Sequence, residues 1–271
     1  MEHRQETRSG RQSRRLGPRE TRFVGLGVYV LALVAWLAMV ARVLPMPGGG
    51  GTGAALDVAD PGVPEMMAAG AGFRGWVLYL VMWGVMMIAM MYPSSVPLVR
   101  LYHGTLAAHP RHERLLRVGA FLGSYTLLWT SVGVVPLLVN QFVPLGRIAG
   151  TGVVFGGTLL LLGVYQLSSY KDQCLHHCRT PLGFLLTHSR PGIRGAARMG
   201  LEHGRFCLGC CWALFAFMVV VGTMNLVWMA LITVVLSVER TVSWGGRLAR
   251  GVGVVACVAG VVVLGTVVLG V

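Results

Sequence analysis

Residues 23–41 carry no charged side chain, and comparable uncharged, mostly apolar runs recur over 75–98, 118–139, 151–167, 206–238 and 251–271. Hydrocarbon offers no water to backbone N–H and C=O groups, so a run of about 20 apolar residues that crosses a bilayer must be helical. A chain punctuated in this way is predicted to be all-α, a polytopic transmembrane helix bundle. The run 206–238 is too long for one ordinary crossing and is interrupted by Thr223-Met224-Asn225. Read as a tight hairpin of two short helices, it brings the total to about seven spans; as a single helix it leaves about six.

Composition agrees with that class. Charged residues make up 12% of the chain, about half the usual share of a soluble domain. Glycine, at 38 residues, suits close helix–helix approach, with Gly119-x-x-x-Gly123 and Gly152-x-x-x-Gly156 as candidate contacts. The net charge of +13 is spread over the segments that flank the apolar runs, and seven arginines fall in the first 22 residues. Basic flanks orient helices and meet anionic headgroups. No nucleic-acid partner is expected, since no recognised fold or aromatic-basic interleaving accompanies the charge.

Residues 1–22 read as a disordered, Arg-rich cytoplasmic tail, and 23–271 as one transmembrane domain. Span one, about Phe23–Leu44, is too long for the apolar core of a signal peptide and is expected to remain uncleaved. Residues 45–73 form an acidic loop without lysine or arginine. Span two, Gly75–Leu98, holds Met82, Met86, Met87, Met90 and Met91 before Pro93 and Pro97, which predict a kink or an early end. Spans three and four are Val118–Val139 and Thr151–Leu167, and a Cys/His loop follows at 169–206. With the N-terminus inside, the basic segments 1–22, 100–117, 169–205 and 239–250 all fall on the cytoplasmic side, as the positive-inside rule demands. The expected location is therefore the cytoplasmic membrane, with the lipid bilayer as an obligatory partner.

Cys174-x-x-His177-Cys178 and Cys207-x-x-Cys210-Cys211 hold five of the six cysteines. On a helix, positions i, i+3 and i+4 share one face. No apolar run separates the two triads, so both lie on one side of the bilayer. In a reducing compartment clustered cysteines are more often metal ligands than disulfides. Thiolate and imidazole suit Zn(II), and thiolate with thioether suits Cu(I). Lys171, Arg179 and Arg205 supply a basic surrounding that stabilises negative sulfur. A helix continuing from span four to Cys178 would then meet a helix over 194–211 and close a tetrahedral site. His176, His188 and His203 are secondary candidates, as are Met82, Met86 and Met90, which recur at i+4 on span two. Packing alone accounts poorly for two matched triads, whereas lone Cys257 reads as packing. Asn225 reads as a cap for the hairpin turn, and His103, His109 and His112 as solvated. The apolar runs contain no carboxylate, which argues against a proton relay.

The segments YQLSSYKDQCLHHCRTPLGFLL, GLEHGRFCLGCCWAL and MNLVWMALITVVLSVE, together with Met90-Met91-Tyr92-Pro93-Ser94, resemble a bacterial family of predicted metal-binding integral membrane proteins long filed as a domain of unknown function. The resemblance covers most of residues 75–240. The family pattern Cys-Leu-x-His-Cys implies that His177 is the ligand and His176 its variable neighbour. It also implies metal binding linked to copper handling.

The sequence is therefore expected to encode a membrane protein without enzymatic residues. It would bind a copper or zinc ion through Cys174, His177, Cys178, Cys207, Cys210 and Cys211, for metal delivery or assembly of a membrane metalloenzyme. One alternative is a thiol–disulfide oxidoreductase using Cys207 and Cys210. The other is a non-catalytic accessory subunit in a larger complex, with a structural metal.

Overall fold

The computed structural model describes residues 18–41, 61–143, 148 and 151–270, and is helical without strands across them. The expected tail up to residue 17, most of the acidic loop and part of the connection after span three lie outside the described residues. The helices are α1 (Pro18–Val40), α2 (Val63–Gly70), α3 (Gly72–Thr105), α4 (Arg111–Val132), α5 (Val134–Phe142), α6 (Gly152–Gln166), α7 (Ser169–Arg179), α8 (Pro181–His188), α9 (Gly192–Val221), α10 (Leu226–Thr241) and α11 (Gly245–Leu269). Among the described residues five segments are long and apolar enough to cross a membrane: Glu20–Val40, α3, Arg111–Phe142, α9 and α11. The pair α6 and α7 makes a sixth if counted as one bent span. At 16 residues, α10 is about 24 Å long and short of a full hydrocarbon crossing.

Side-chain contacts fix the relative directions. Trp36 of α1 meets Ala89 of α3, while Gly25 lies against Val96 and Arg100, so these helices run antiparallel. Trp83 and Tyr92 of α3 meet Trp129 and Thr126 of α4, again antiparallel. Phe121, Tyr125 and Trp129 of α4 meet His203, Cys207 and Phe215 in the same order, so α9 is parallel to α4. The break after α9 falls where the sequence placed it. Gly222 takes φ +107°, a conformation that L side chains rarely adopt. Asn225 then caps α10, accepting from the backbone N–H groups of Val227 and Trp228 at 3.1 and 3.3 Å. Arg240 returns to Cys210, so α9 and α10 form a hairpin, although α9 is 30 residues long rather than short.

Two expectations are corrected by local chemistry. Pro93 and Pro97 lie inside an unbroken α3. A proline at 93 leaves the carbonyl of Ala89 without its helical partner, and the indole Nε1–H of Trp36 donates to that oxygen at 3.1 Å. Conversely, span four does not continue to Cys178. The helix stops at Leu167, Ser168 caps α7 by accepting from Lys171 N–H at 3.2 Å, and the axis turns by 63°.

Small residues set the helix spacing, but only at some of the expected places. Gly152 and Gly156 of α6 lie against Val267, Val263 and Leu264 of α11, whereas Gly119 and Gly123 have open space beside them. Cys257 packs against Gly163 between α6 and α11, a structural role. The outer faces of α1 and α11 expose Leu33, Leu37, Val255, Val258 and Val261, side chains suited to lipid.

Candidate metal centre

Glycines on α9 allow the approach that builds the site. A Cβ at Gly200 would overlap the Phe121 carbonyl and the Ser124 hydroxyl. Its absence lets α4 close on α9 until the Tyr125 hydroxyl lies 2.9 Å from the Cys207 sulfur. From the opposite side α7 lies across α9 at Gly209, where Cys174 Sγ occupies the space a side chain would need. The Tyr165 hydroxyl donates to the Gly209 carbonyl and fixes this crossing.

That crossing sets Cys178 Sγ 3.9 Å from Cys210 Sγ, so one sulfur from each triad comes together. Two sulfurs bonded to a common ion at about 2.3 Å each can be separated by this much. Cys207 is buried beside them, and its carbonyl accepts from the thiols of Cys210 and Cys211 at 3.1 and 2.7 Å. Cys174 is buried nearer the backbone of Gly209.

The remaining expected ligands are not drawn into this cluster. The ring of His177 stacks on Phe206 with centroids 4.4 Å apart, and its Nδ1 lies 2.9 Å from the Gln173 carbonyl. His176 is exposed, and His188 stacks on Phe184. His203 is buried one turn before Cys207, its ring set among Phe121, Tyr125 and Phe184, with no hydrogen-bond partner for Nδ1 among the described residues. Met82, Met86 and Met90 are fully buried in the core. It is Met91, one residue past that series, that reaches the Arg240 side chain beside the sulfurs. Among the described residues no group of three or more His, Cys, Asp or Glu is arranged to hold a metal ion. The structure supplies a two-sulfur pair rather than the four-ligand site expected from the sequence.

Two features escaped the sequence. The first is Arg240, only 6% exposed. Its Nη2 donates to Cys210 Sγ at 3.3 Å, and its Nη1 to Ser94 Oγ at 3.0 Å and Met91 Sδ at 3.6 Å. The second is a buried ion pair, Lys171 Nζ to Glu239 Oε2 at 2.8 Å, with Gln166 Nε2 donating to the other carboxylate oxygen at 3.1 Å. In the sequence both Glu239 and Arg240 look like an ordinary charged flank of an apolar run, and nothing marks them as buried. Two further charged or polar residues also lie deeper than expected. Glu65 is buried, accepting from Tyr79 and Thr223, and His103 is buried rather than solvated.

A cluster of thiols, mostly buried, with a thioether and one cation beside it favours a soft ion over a hard one. A sequence model of the family PpoB2, described as copper chaperone, matches residues 80–263. That span includes every cysteine, Met82–Met91 and Arg240. Comparisons with curated proteins and with solved structures give no match.

Proposed function

The chain belongs to the copper chaperone family, and from that premise we propose that it is an integral membrane protein that holds Cu(I) as cargo between Cys178 and Cys210. The observation that carries this reading is the pair of sulfurs, one from each motif, 3.9 Å apart, with Cys210 buried and Cys178 half-buried. Cu(I) is satisfied by few soft ligands, whereas structural Zn(II) takes four. Cys207 and Met91 stand beside the pair as transfer ligands, and Cys174 and Cys211 complete the sulfur-rich wall. The cargo passes to a membrane metalloenzyme or another metal-handling partner.

The cluster lies at the cytoplasmic end in this reading. Support comes from the way the basic segments gather at one end of the bundle. Glu20 of α1 pairs with Arg114 of α4 at 3.1 Å, and Arg179 of α7 donates to the carbonyls of Val242 and Ser243 at 2.9 and 2.6 Å. Arg250 of α11 pairs with Asp172 of α7 at 3.6 Å. Such a concentration of arginine marks the inner face.

The test is the copper content of protein purified in detergent under reducing conditions. Wild type is expected to retain Cu(I), and Cys178→Ser/Cys210→Ser to lose it. Equal copper in both proteins would remove the site. For the oxidoreductase alternative no geometric support appears. The Cys210 sulfur sits against Cys178, while the Cys207 sulfur turns to Tyr125.

A further inference from the structure

Arg240 is a buried cation with no carboxylate beside it among the described residues. Among the described residues every acidic side chain is engaged elsewhere. Glu20 pairs with Arg114, Glu113 with Arg117, Asp172 with Arg250, Glu202 with Arg198 and Glu239 with Lys171, while Glu65 takes hydrogen bonds from Tyr79 and Thr223. A guanidinium buried this far is stable only opposite a negative charge. The groups it touches are a thiol sulfur, a thioether and a hydroxyl.

We propose that Arg240 is the residue that makes the sulfur pair selective for a monovalent soft ion. This rests on the reading of Cys178 and Cys210 as the ligands. Two thiolates and one Cu(I) carry a net charge of −1, and the guanidinium brings the buried assembly to zero. A divalent ion on the same two thiolates is already neutral, so Arg240 is then an uncompensated +1 in a low-dielectric interior. The discrimination comes from charge count rather than cavity size. It therefore extends to Ag(I), which shares the charge and softness of Cu(I), and excludes Zn(II) bound by this pair. The adjacent Glu239 does not spoil the count, because Lys171 and Gln166 already take both of its oxygens.

The experiment uses the full chain in detergent micelles with a thiol-free reductant. Cu(I), Ag(I) and Zn(II) affinities are measured by competition with chelators of known strength. Four proteins are compared: wild type, Arg240→Gln, Arg240→Lys and Cys178→Ser/Cys210→Ser. Arg240→Gln should weaken Cu(I) and Ag(I) by about 30-fold or more, the scale of truncating one partner of a buried charge pair, and should leave Zn(II) unchanged or tighter. Arg240→Lys keeps the charge and should keep the order of preference. If Arg240→Gln retains the wild-type ratio of Cu(I) to Zn(II) affinity, the assignment of Arg240 is overturned while the sulfur site stands. Cu(I) affinity unchanged in Cys178→Ser/Cys210→Ser overturns the site itself. Wild type provides a readout independent of variant folding: Cu(I) and Ag(I) should protect Cys178, the more exposed sulfur of the pair, from alkylation at concentrations where Zn(II) does not. Equal protection by all three ions would sink the proposal.

Discussion

Replacing Lys171 with methionine removes one half of the most deeply buried ion pair described. Lys171 and Glu239 have side-chain exposures of 0% and 1% and an N–O distance of 2.8 Å, so their interaction is little screened by solvent. With the ammonium gone, the Glu239 carboxylate keeps only the amide of Gln166. An uncompensated buried charge of this kind costs about 3–5 kcal/mol. Glu239→Gln should cost a similar amount by stranding the ammonium. The double variant Lys171→Met/Glu239→Gln contains no net charge, and its new amide can still accept from Gln166. Its loss should therefore be no more than about 2 kcal/mol, because an uncharged replacement of a buried pair is often nearly neutral. The two single losses together would then exceed the double loss by at least about 4 kcal/mol, a coupling expected of groups in direct contact. Reversible unfolding in mixed micelles, followed by tryptophan fluorescence, measures all four proteins. A double variant as unstable as the sum of the singles would refute the pairing and the burial argument with it.

Other expected outcomes follow from particular contacts. Tyr125→Phe removes the hydroxyl 2.9 Å from Cys207; it should cost about 0.5–1.5 kcal/mol in unfolding experiments and leave copper stoichiometry unchanged. Gly200→Ala places a methyl group against the Phe121 carbonyl and should destabilise by about 1–3 kcal/mol through overpacking. Since the α4–α9 approach carries Cys207 and Cys210, its copper retention in equilibrium dialysis should also fall. His177→Ala removes a ring stacked on Phe206, so copper measured by elemental analysis should remain near wild type; its loss would restore His177 as a ligand. Glu65→Ala leaves the hydroxyls of Tyr79 and Thr223 without their acceptor and should lower stability by at least about 1 kcal/mol.

The helical spans, the break before Asn225 and the sulfur-bearing motifs were legible because each depends on local pattern: apolar length, turn residues and ligand spacing. The copper chaperone match agrees with the resemblance seen in the cysteine-bearing segments. What did not emerge was every property set by a distant partner. Pro93 carries a strong local signal to break a helix, and the carbonyl it frees, Ala89, finds its donor in Trp36, 53 residues from Ala89 along the chain. The order of Cys-x-x-His-Cys puts His177 and Cys178 at neighbouring positions on one turn. After the 63° bend that follows α6 both side chains meet α9, His177 at Phe206 and Cys178 at Cys210, and only Cys178 reaches the sulfurs. Arg240 looks like a headgroup anchor by sequence position. It becomes buried because α10 stops alongside Cys210 and Met91 instead of reaching past them.

The hydrogen bond from Trp36 to the Ala89 carbonyl turns α1 into a splint for α3. The copper chaperone match begins at residue 80, so α1 lies outside the stretch that defines the family, and its outer face is exposed and apolar. Yet the carbonyl it braces is two residues from Met91, which touches the cation beside the sulfur pair. A shortened chain beginning after Val40 would keep every cysteine and still leave that oxygen bare at the proline step. The proposed sulfur site would then draw one of its braces from a helix that holds none of its residues.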